Sequence, residues 1–358
     1  SSDGYFYLKK DPDTLITNSL YFHKLGTSSK ADKLIYKEND NQYNLGFFRS
    51  RTKKYLLLDI SKTESNEFRI LDLEAENFDL QCFHKRSKEH RYYIDDTPEE
   101  FFILSNKKNQ KNFALYKTDK KNTHENNWKI FIQHNKKELI ENFICFEDYV
   151  ILETRKNGLP LLTQVHKNTK NKSIIKFDDP AYSVELVNNI DYQSKTFTFA
   201  YSSLRTPAAI FSQNLYSQKR KKIWQQNILN HKEKDYEIKR LFVKARDGTK
   251  VPISLVFKKG INLKKAPLLQ YGYGSYGSII EPSFKLSFMP LIDQGFVFAI
   301  AHIRGGQDLG QDWYDQGRML KKMNTFTDFI DCTKGLIKKE IGNNKKTFAM
   351  GGSAGGLL

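Results

Sequence analysis

Residues 347–358 read TFAMGGSAGGLL and place Gly351, Ser353 and Gly355 at the spacing G-x-S-x-G. The apolar run at 348–350 predicts a strand, and the glycines after it predict a sharp turn into a helix. Such a turn lifts a serine hydroxyl above the edge of a sheet and brings backbone segments close together, so the flanking positions must be small. The stretch therefore predicts that Ser353 is a nucleophile, and a flexible Gly/Ala/Ser turn is the alternative.

The last third of the chain predicts a sheet that ends in this turn. Residues 237–245 and 251–257 predict two strands of a hairpin, joined through an Asp-Gly turn. The apolar runs at 267–271 and 295–301 are typical of strands that are buried on both faces. Apolar residues recur at helical spacing in 326–341. This order of elements predicts a largely parallel α/β sheet.

A glycine-rich loop, GYGSYG at 272–277, follows the strand predicted at 267–271. Attack on a carbonyl group requires hydrogen-bond donors for the negative charge that develops on its oxygen. In this architecture one donor is the backbone N–H of the residue after the nucleophile, here Ala354, and a second comes from a loop after an earlier strand. The loop is the candidate for that second donor, and the alternative is that its tyrosines only pack against their neighbours.

Other polar residues upstream of the turn are assigned structural roles. His302 lies in a strand run and is predicted to be a packed histidine rather than a catalytic base. Arg304 is predicted to pair with a carboxylate, and Asp308, Asp312 and Asp328 are predicted to cap helices or pair with cations.

A small acidic group also occurs in the first half of the chain. Asp95, Asp96, Glu99 and Glu100 lie on either side of Pro98. Paired carboxylates can act as catalytic acids and bases, but a turn that contains proline predicts solvated side chains instead.

The first two-thirds of the chain contains short apolar runs separated by polar turns. Five of these runs start at Tyr5, Tyr55, Phe101, Tyr149 and Phe197, which are 50, 46, 48 and 48 positions apart. A period of about 40–50 residues with about four short strands is the signature of a β-propeller blade. The spacing predicts four to five blades of a partial propeller, and a β-sandwich with coincidental spacing is the alternative.

Composition narrows the class of protein. The chain has 39% hydrophobic and 28% charged residues, which is ordinary for a globular protein. Its three cysteines, Cys82, Cys145 and Cys332, are far apart and form no C-x-x-C pair, which disfavours a metal cluster or a disulfide framework. A reducing compartment is therefore expected.

The net charge is +17, yet the lysines are scattered among Asn and Ile rather than clustered. No nucleic-acid partner is predicted from this pattern. No apolar run approaches the ~18–20 residues of a membrane span, so no membrane partner is predicted either.

Several motifs together resemble the prolyl oligopeptidase family of serine peptidases, and within it most closely the oligopeptidase B branch. The likeness is dense over about 240–358 and weaker before it. The motifs are YGYGSYG at 271–277, HIRGG at 302–306, DWY at 312–314, NTFTDF at 324–329 and GGSAGGLL at 351–358.

The resemblance implies two domains. Residues 1–235 would form a partial β-propeller of about four to five blades, and 236–358 would form the first part of an α/β-hydrolase domain that ends just after the nucleophile turn. It also implies three site residues: Ser353 as nucleophile, the Tyr273 hydroxyl as one oxyanion donor and the Ala354 N–H as the other.

The resemblance further implies a cytoplasmic serine endopeptidase that acts on short peptides and cleaves after Lys or Arg through an acyl-enzyme. No metal or organic cofactor is implied. Two alternatives stay open: a prolyl oligopeptidase proper, which cleaves after Pro, and a non-catalytic propeller module or decayed gene fragment.

In such enzymes the triad Asp and His follow the serine in sequence. The chain begins at Ser1 without an initiator Met and ends five residues after Ser353. We therefore expect an internal segment, about half of a longer protein, with the triad partners and the acidic residues that select a cation lying downstream of Leu358. By itself the segment is expected to be inactive.

Overall fold

The computed structural model describes residues 3–75, 77–187 and 189–358. The first 19 strands of this described part form five sheets, each with its strands in chain order. The sheets are β1 (Gly4–Lys10), β2 (Thr17–Lys24) and β3 (Lys33–Lys37); β4 (Asn44–Arg49), β5 (Tyr55–Lys62), β6 (Ser65–Asp72) and β7 (Leu80–His84); β8 (Tyr92–Asp96), β9 (Glu100–Ser105), β10 (Ala114–Asp119) and β11 (Lys129–Ile132); β12 (Glu138–Cys145), β13 (Tyr149–Lys156), β14 (Leu159–His166) and β15 (Lys172–Ile174); and β16 (Tyr182–Leu186), β17 (Thr196–Ser203), β18 (Ala209–Asn214) and β19 (Arg220–Gln225).

These sheets confirm the predicted blades. The five apolar runs of the repeat fall in β1, β5, β9, β13 and β17. In every four-stranded sheet the run is thus the second strand, and the regular spacing reflects one blade per repeat. By the same alignment, β1–β3 correspond to the second, third and fourth strands of a blade.

Alternation along a strand explains how a blade buries both of its faces. Leu56 and Leu58 of β5 lie in the same hydrophobic cluster as Leu20 of β2, whereas Leu57 lies in a second cluster with Tyr92 of β8. Successive side chains point to opposite faces of a sheet, so β5 contributes to the core on both sides. All three of these β5 leucines are at most 3% exposed.

The backbone contacts divide the chain into two compact units. The first runs to Asn135 and includes Ile144–Glu147 and Ile190–Gln193, and the second consists of Lys136–Phe143, Asp148–Asn189 and Ser194–Leu358. Strands β13 and β14 therefore belong to the same unit as the nucleophile turn. The domain division at residues 235 and 236 stays a prediction.

The second unit carries a five-stranded sheet in the order β20-β21-β23-β22-β24. Its elements are β20 (Tyr236–Lys244), β21 (Lys250–Lys258), β22 (Leu268–Tyr271), α1 (Met289–Asp293), β23 (Val297–Ala301), α2 (Gln311–Asp315), α3 (Met323–Lys338) and β24 (Thr347–Met350).

This sheet is mixed: the predicted hairpin is confirmed as an antiparallel pair and the three strands that follow it are mutually parallel, whereas the antiparallel pairing of β21 with β23 was not predicted. The β22–β23 and β22–β24 pairs are parallel, but the β20–β21 and β21–β23 pairs are antiparallel. A tight turn causes the first antiparallel pair, because Ala245 N–H donates to the Thr249 carbonyl at 2.8 Å and reverses the chain at once.

Helix α3 begins at Met323, three residues before the predicted start. Its buried residues fall at helical spacing and include Phe329, Cys332 and Leu336, which join the core beneath the sheet. Gly335 allows this close approach, because a Cβ there would lie 2.3 Å from a methyl carbon of Val243. None of the helices that the structure describes is long and apolar enough to cross a bilayer.

The prediction that the acidic group near Pro98 is solvated is wrong for Asp95 and Asp96. Asp96 is fully buried; it accepts the Thr52 backbone N–H at 2.8 Å and pairs with Lys120 Nζ at 2.8 Å. Burial also raises the pKa of Asp95 to about 6. The end of β8 packs against the turn between β4 and β5, and local sequence does not show that contact.

Candidate active site

The nucleophile turn and the glycine-rich loop leave the sheet at the same edge. Strands β22 and β24 are parallel neighbours, with Leu268 opposite Thr347 and Tyr271 opposite Met350. The next residue along the chain, Gly272, donates its N–H to the Met350 carbonyl at 3.3 Å. Both connections therefore start side by side at the carboxyl ends of parallel strands, where ligands collect in α/β sheets.

Ser353 has the backbone geometry that a nucleophile turn requires. Its φ is +53°, which is uncommon for a residue with a side chain. Positions of this kind cluster at active sites, where the surrounding structure stabilises them. Ser353 also begins the 3-10 turn Ser353–Leu357 and is solvent-exposed. The chain thus turns sharply from β24 into this 3-10 turn, with Ser353 at the corner.

The glycines of the motif are needed at two of its positions. A Cβ at Gly351 would lie 1.9 Å from the Gly355 carbonyl oxygen. A Cβ at Gly355 would lie 2.9 Å from the Gly272 carbonyl oxygen and 3.2 Å from Tyr273 Cα. At Gly352 no atom lies within 4 Å of the added carbon. The outer glycines of G-x-S-x-G thus permit backbone contacts that any side chain would block.

The contact of Gly355 with Gly272 and Tyr273 brings the predicted oxyanion donors close together at the serine turn. Tyr273 is half-buried against Gly355, whereas the side chain of Tyr276 is 73% exposed. Gly355 N–H donates to the Gly352 carbonyl at 2.8 Å and closes the first bond of the turn. The N–H of Ala354 comes one residue earlier, at the start of the turn, where backbone N–H groups have no partner within the turn. The three predicted site residues lie on adjacent segments, and their catalytic roles stay predictions.

The segment around Arg304 packs against the glycine-rich loop and is itself held by ion pairs. Arg304 donates to Asp328 through Nε at 2.8 Å and Nη2 at 2.6 Å, and to Asp247 through Nη1 at 2.7 Å. The hydrogen bonds to Asp328 raise the pKa of Arg304. The predicted structural pairing of Arg304 is therefore confirmed. Gly305 packs so closely on the loop that a Cβ would lie 2.1 Å from the Gly274 carbonyl oxygen.

His302 belongs to a buried Ser–His–Asp arrangement that the sequence did not reveal. Its Nδ1 lies 2.8 Å from Asp308 Oδ1, and its Nε2 lies 2.8 Å from the Ser254 hydroxyl. Arg240 donates to the same hydroxyl at 2.9 Å, so the serine donates to Nε2 and the imidazole donates from Nδ1 to Asp308. Burial lowers the pKa of His302, which is 2% exposed. His302 is a packed histidine, as predicted.

An acidic cavity of about 530 Å³ lies in the second unit, and sequence reasoning missed it. Its charged lining consists of Glu141, Glu153, Glu185 and Glu281 together with the single cation Arg155. Arg155 pairs with Glu141 at 2.8 Å and also with Glu281, and burial raises the pKa of Glu281 to about 7. The acidic residues come from different strands and a loop, so no local motif signals the cavity.

Family models match both parts of the chain. The model described as "Prolyl oligopeptidase, N-terminal beta-propeller domain" matches residues 1–226, and that described as "Prolyl oligopeptidase family" matches residues 282–358.

Individual relatives agree with these matches. The chain is 35% identical to dipeptidyl aminopeptidase BI of Pseudoxanthomonas mexicana over 100% of its own length and 50% of the relative's, and 31% identical to protease 2 of Moraxella lacunata over 95% and 49%. Among solved structures, oligopeptidase B from Trypanosoma brucei with covalently bound antipain, in a closed form, superposes with a TM-score of 0.93 at 31% identity, covering 100% of this chain and 52% of that one. Oligopeptidase B from Leishmania major gives 0.93 at 28% identity, with 99% and 51% covered.

The chain spans about half the length of the relatives it matches. The blade strands and the serine turn lie within the residues that the family models match, whereas β20, β21 and β22 fall between the two matches. Because the propeller model alone matches residues 1–226 of the 358, the chain belongs to the prolyl oligopeptidase family, of which it carries propeller blades and the first part of the α/β-hydrolase domain.

Proposed function

We propose that the protein containing this chain is a serine peptidase that acts on short peptides, with Ser353 as its nucleophile. The observation that carries the proposal is the backbone of Ser353, at φ +53° on an exposed turn that only glycines at 351 and 355 permit. The serine oxygen attacks the peptide carbonyl carbon, the amine leaves with a proton, and water then hydrolyses the acyl-enzyme. Tyr273 and the Ala354 N–H donate to the oxyanion.

The general base is proposed to come from outside residues 1–358. His302 does not fit the role, because both of its ring nitrogens are bonded to buried partners, Ser254 and Asp308. Among the hydrogen bonds recorded for the described residues, none joins a histidine to Ser353. The base and its orienting carboxylate would then complete the triad from another part of the protein.

Cleavage after Lys or Arg is the proposed specificity. The resemblance to oligopeptidase B supports it. Cleavage after Pro is the alternative within the family.

The 35% identity to a protein named dipeptidyl aminopeptidase BI supports a second candidate, which is release of dipeptides from a free N-terminus. The two candidates differ in what they require of the substrate. An endopeptidase accepts a peptide with a blocked N-terminus, whereas an aminopeptidase needs the free ammonium group.

The test uses the full-length enzyme and a matched peptide series with Arg, Lys, Pro or Ala before the scissile bond. Each peptide is prepared with a free and with an acetylated N-terminus. We expect cleavage after Arg and Lys in both forms and loss of all turnover in Ser353→Ala. Turnover that survives Ser353→Ala would overturn the assignment of the nucleophile. Cleavage of only those peptides that have a free N-terminus would favour the aminopeptidase. Cleavage only after Pro would favour a prolyl oligopeptidase.

A cytoplasmic location is also proposed. Cys82 is an exposed thiol, and Cys145 and Cys332 are buried. Free thiols are typical of proteins from reducing compartments. Fractionation of cells that produce the protein tests this, and recovery outside the cytoplasm would contradict it.

A further inference from the structure

The glycine-rich loop 272–277 needs support that its own backbone does not supply. Three of its residues have positive φ, between +56° and +68°, so it follows no regular secondary structure. Its first and last N–H groups donate to the carbonyls of Met350 and Gly305, at 3.3 and 3.0 Å. These bonds fix the two ends of the loop. Tyr273 lies between these two ends. A hydroxyl that donates a hydrogen bond to an oxyanion has to be positioned to within about 0.5 Å.

Lys322 reaches the middle of the loop. Its Nζ donates to the Gly274 carbonyl at 2.5 Å and lies 2.7 Å from the Ser275 hydroxyl. These two acceptors follow Tyr273 directly in the chain. One ammonium group thus bonds two successive residues and restrains the backbone that carries the tyrosine.

The Gly274 carbonyl and the Ser275 hydroxyl are polar partners of the Lys322 ammonium, which also lies 5.8 Å from the centre of the Phe326 ring. Burial lowers the pKa of the ammonium, and no carboxylate in the described part of the chain forms an ion pair with it. A desolvated cation without a counter-ion is costly unless polar groups satisfy it. The nearby hydroxyl of Thr325 does not replace it, because its closest acceptors are the carbonyls of Arg304 at 2.8 Å and Gly317 at 3.0 Å, whereas Gly274 is 3.5 Å away.

Lys322 is also attached to a rigid element. It immediately precedes α3 (Met323–Lys338), and the buried Asp328 of that helix is held by Arg304. The ammonium therefore connects the loop to a helix that is fixed in the core.

We propose that Lys322 is a positioning residue for catalysis: it holds the 272–277 loop so that the Tyr273 hydroxyl points at the oxyanion. The inference rests on the proposed function. It assigns to Lys322 no contact with the substrate, and its effect on the rate passes through Tyr273.

The first test compares Lys322→Met with Lys321→Met in the full-length enzyme. Lys321 is the adjacent lysine and is exposed, so it controls for loss of one positive charge. We expect kcat of Lys322→Met to fall by about 10- to 100-fold with KM little changed, because a misplaced donor weakens only the transition state. Lys321→Met should keep wild-type kcat. A rise in KM at constant kcat would overturn the proposal.

A double-mutant cycle with Tyr273→Phe tests the route of the effect. If Lys322 acts through Tyr273, adding Lys322→Met to Tyr273→Phe should lower kcat by less than about threefold further. Independent effects would multiply, and that result would overturn the proposal while leaving the serine mechanism intact. If instead Ser353→Ala retains turnover, the proposed function itself fails.

Two further measurements separate positioning from stability. Lys322→Arg keeps a cationic donor and should recover part of the lost kcat, whereas a role in bulk packing predicts no such rescue. Hydrogen exchange of peptides that span 272–278 should accelerate in Lys322→Met while exchange in α3 stays the same. Unchanged exchange in the loop, or acceleration throughout the second unit, would contradict a positioning role.

Discussion

Tyr273 and Tyr276 lie in one short loop, yet their surroundings give them different expected roles. Tyr273 packs on Gly355, beside the serine turn, and Tyr276 is 73% exposed. Tyr273→Phe removes one oxygen and keeps the packing of the ring. Loss of one oxyanion donor costs about 10²–10³ in kcat, so we expect a fall of that order in the full-length enzyme with KM little changed. Steady-state kinetics measure both constants.

Tyr276→Phe is the matched control and should have a kcat close to wild type. If Tyr276→Phe loses activity while Tyr273→Phe stays within about threefold of wild type, the other tyrosine is the donor.

Two glycines of the serine turn, Gly355 and Gly352, allow the same substitution to be compared at a crowded and at an open position. In Gly355→Ala the new methyl group would press on the Gly272 carbonyl and Tyr273 Cα, at 2.9 and 3.2 Å. We expect activity to fall by about 10²-fold, because the serine turn and the glycine-rich loop must move apart.

Gly352→Ala adds the same methyl group where no atom lies within 4 Å and φ is −116°. Its kcat/KM should stay near wild type. Equal losses in the two variants would mean that steric contact does not explain the motif.

At the scale of elements, one buried ion pair joins α3 to the segment after β23. Arg304 and Asp328 have side chains that are 6% and 0% exposed. Asp328→Asn leaves the guanidinium without its buried partner, and breaking such a pair costs about 3–5 kcal/mol. We expect a corresponding fall in the free energy of unfolding, measured by urea titration.

The Lys264–Glu340 pair provides the control. Both of its side chains are more than 60% exposed, so Glu340→Gln should leave the urea midpoint unchanged. A similar midpoint for Asp328→Asn and wild type would show that burial does not strengthen the Arg304 pair.

A buried histidine in the connection between β7 and β8 makes the stability of the protein depend on pH. His90 is 7% exposed, lies 2.9 Å from the Ser105 hydroxyl and faces the ring of His84, which has Lys107 and Glu125 beside it. Burial lowers the pKa of His90 to about 4.

The unfolded chain takes up this proton near pH 6.5 and the folded chain near pH 4. The contribution of neutral His90 is therefore complete above pH 6.5 and decreases as the pH falls towards 4, by about 3 kcal/mol in total at 1.36 kcal/mol per pKa unit. Urea midpoints at pH 7 and pH 4.5 should differ less in His90→Gln than in wild type. An identical pH difference in both proteins would contradict the assignment.

For the whole molecule, we expect residues 1–358 alone to be inactive. Ser353 is the proposed nucleophile, but a serine without its base is a weak nucleophile and triad members act as a unit. The purified segment should hydrolyse an arginine ester no faster than Ser353→Ala does. Turnover that the substitution abolishes would mean that a base lies inside this chain.

Sequence by itself determined the features that depend on local pattern. Blade strands follow from the 46- to 50-residue spacing of apolar runs, and the serine turn follows from a local contact, because a Cβ at Gly351 would meet the Gly355 carbonyl four residues further on. Periodicity and backbone sterics act over a few residues, so a single sequence records them.

Only the tertiary structure decided the rest. The burial of Asp96, the Ser254–His302–Asp308 arrangement and the acidic cavity each join residues that are far apart in the chain; Arg155 and Glu281, for example, are 126 positions apart. The same is true of the antiparallel β21–β23 pair and of Lys322 on the 272–277 loop. Whether a polar group is solvated or buried and paired depends on which distant element packs over it, and no local pattern carries that information.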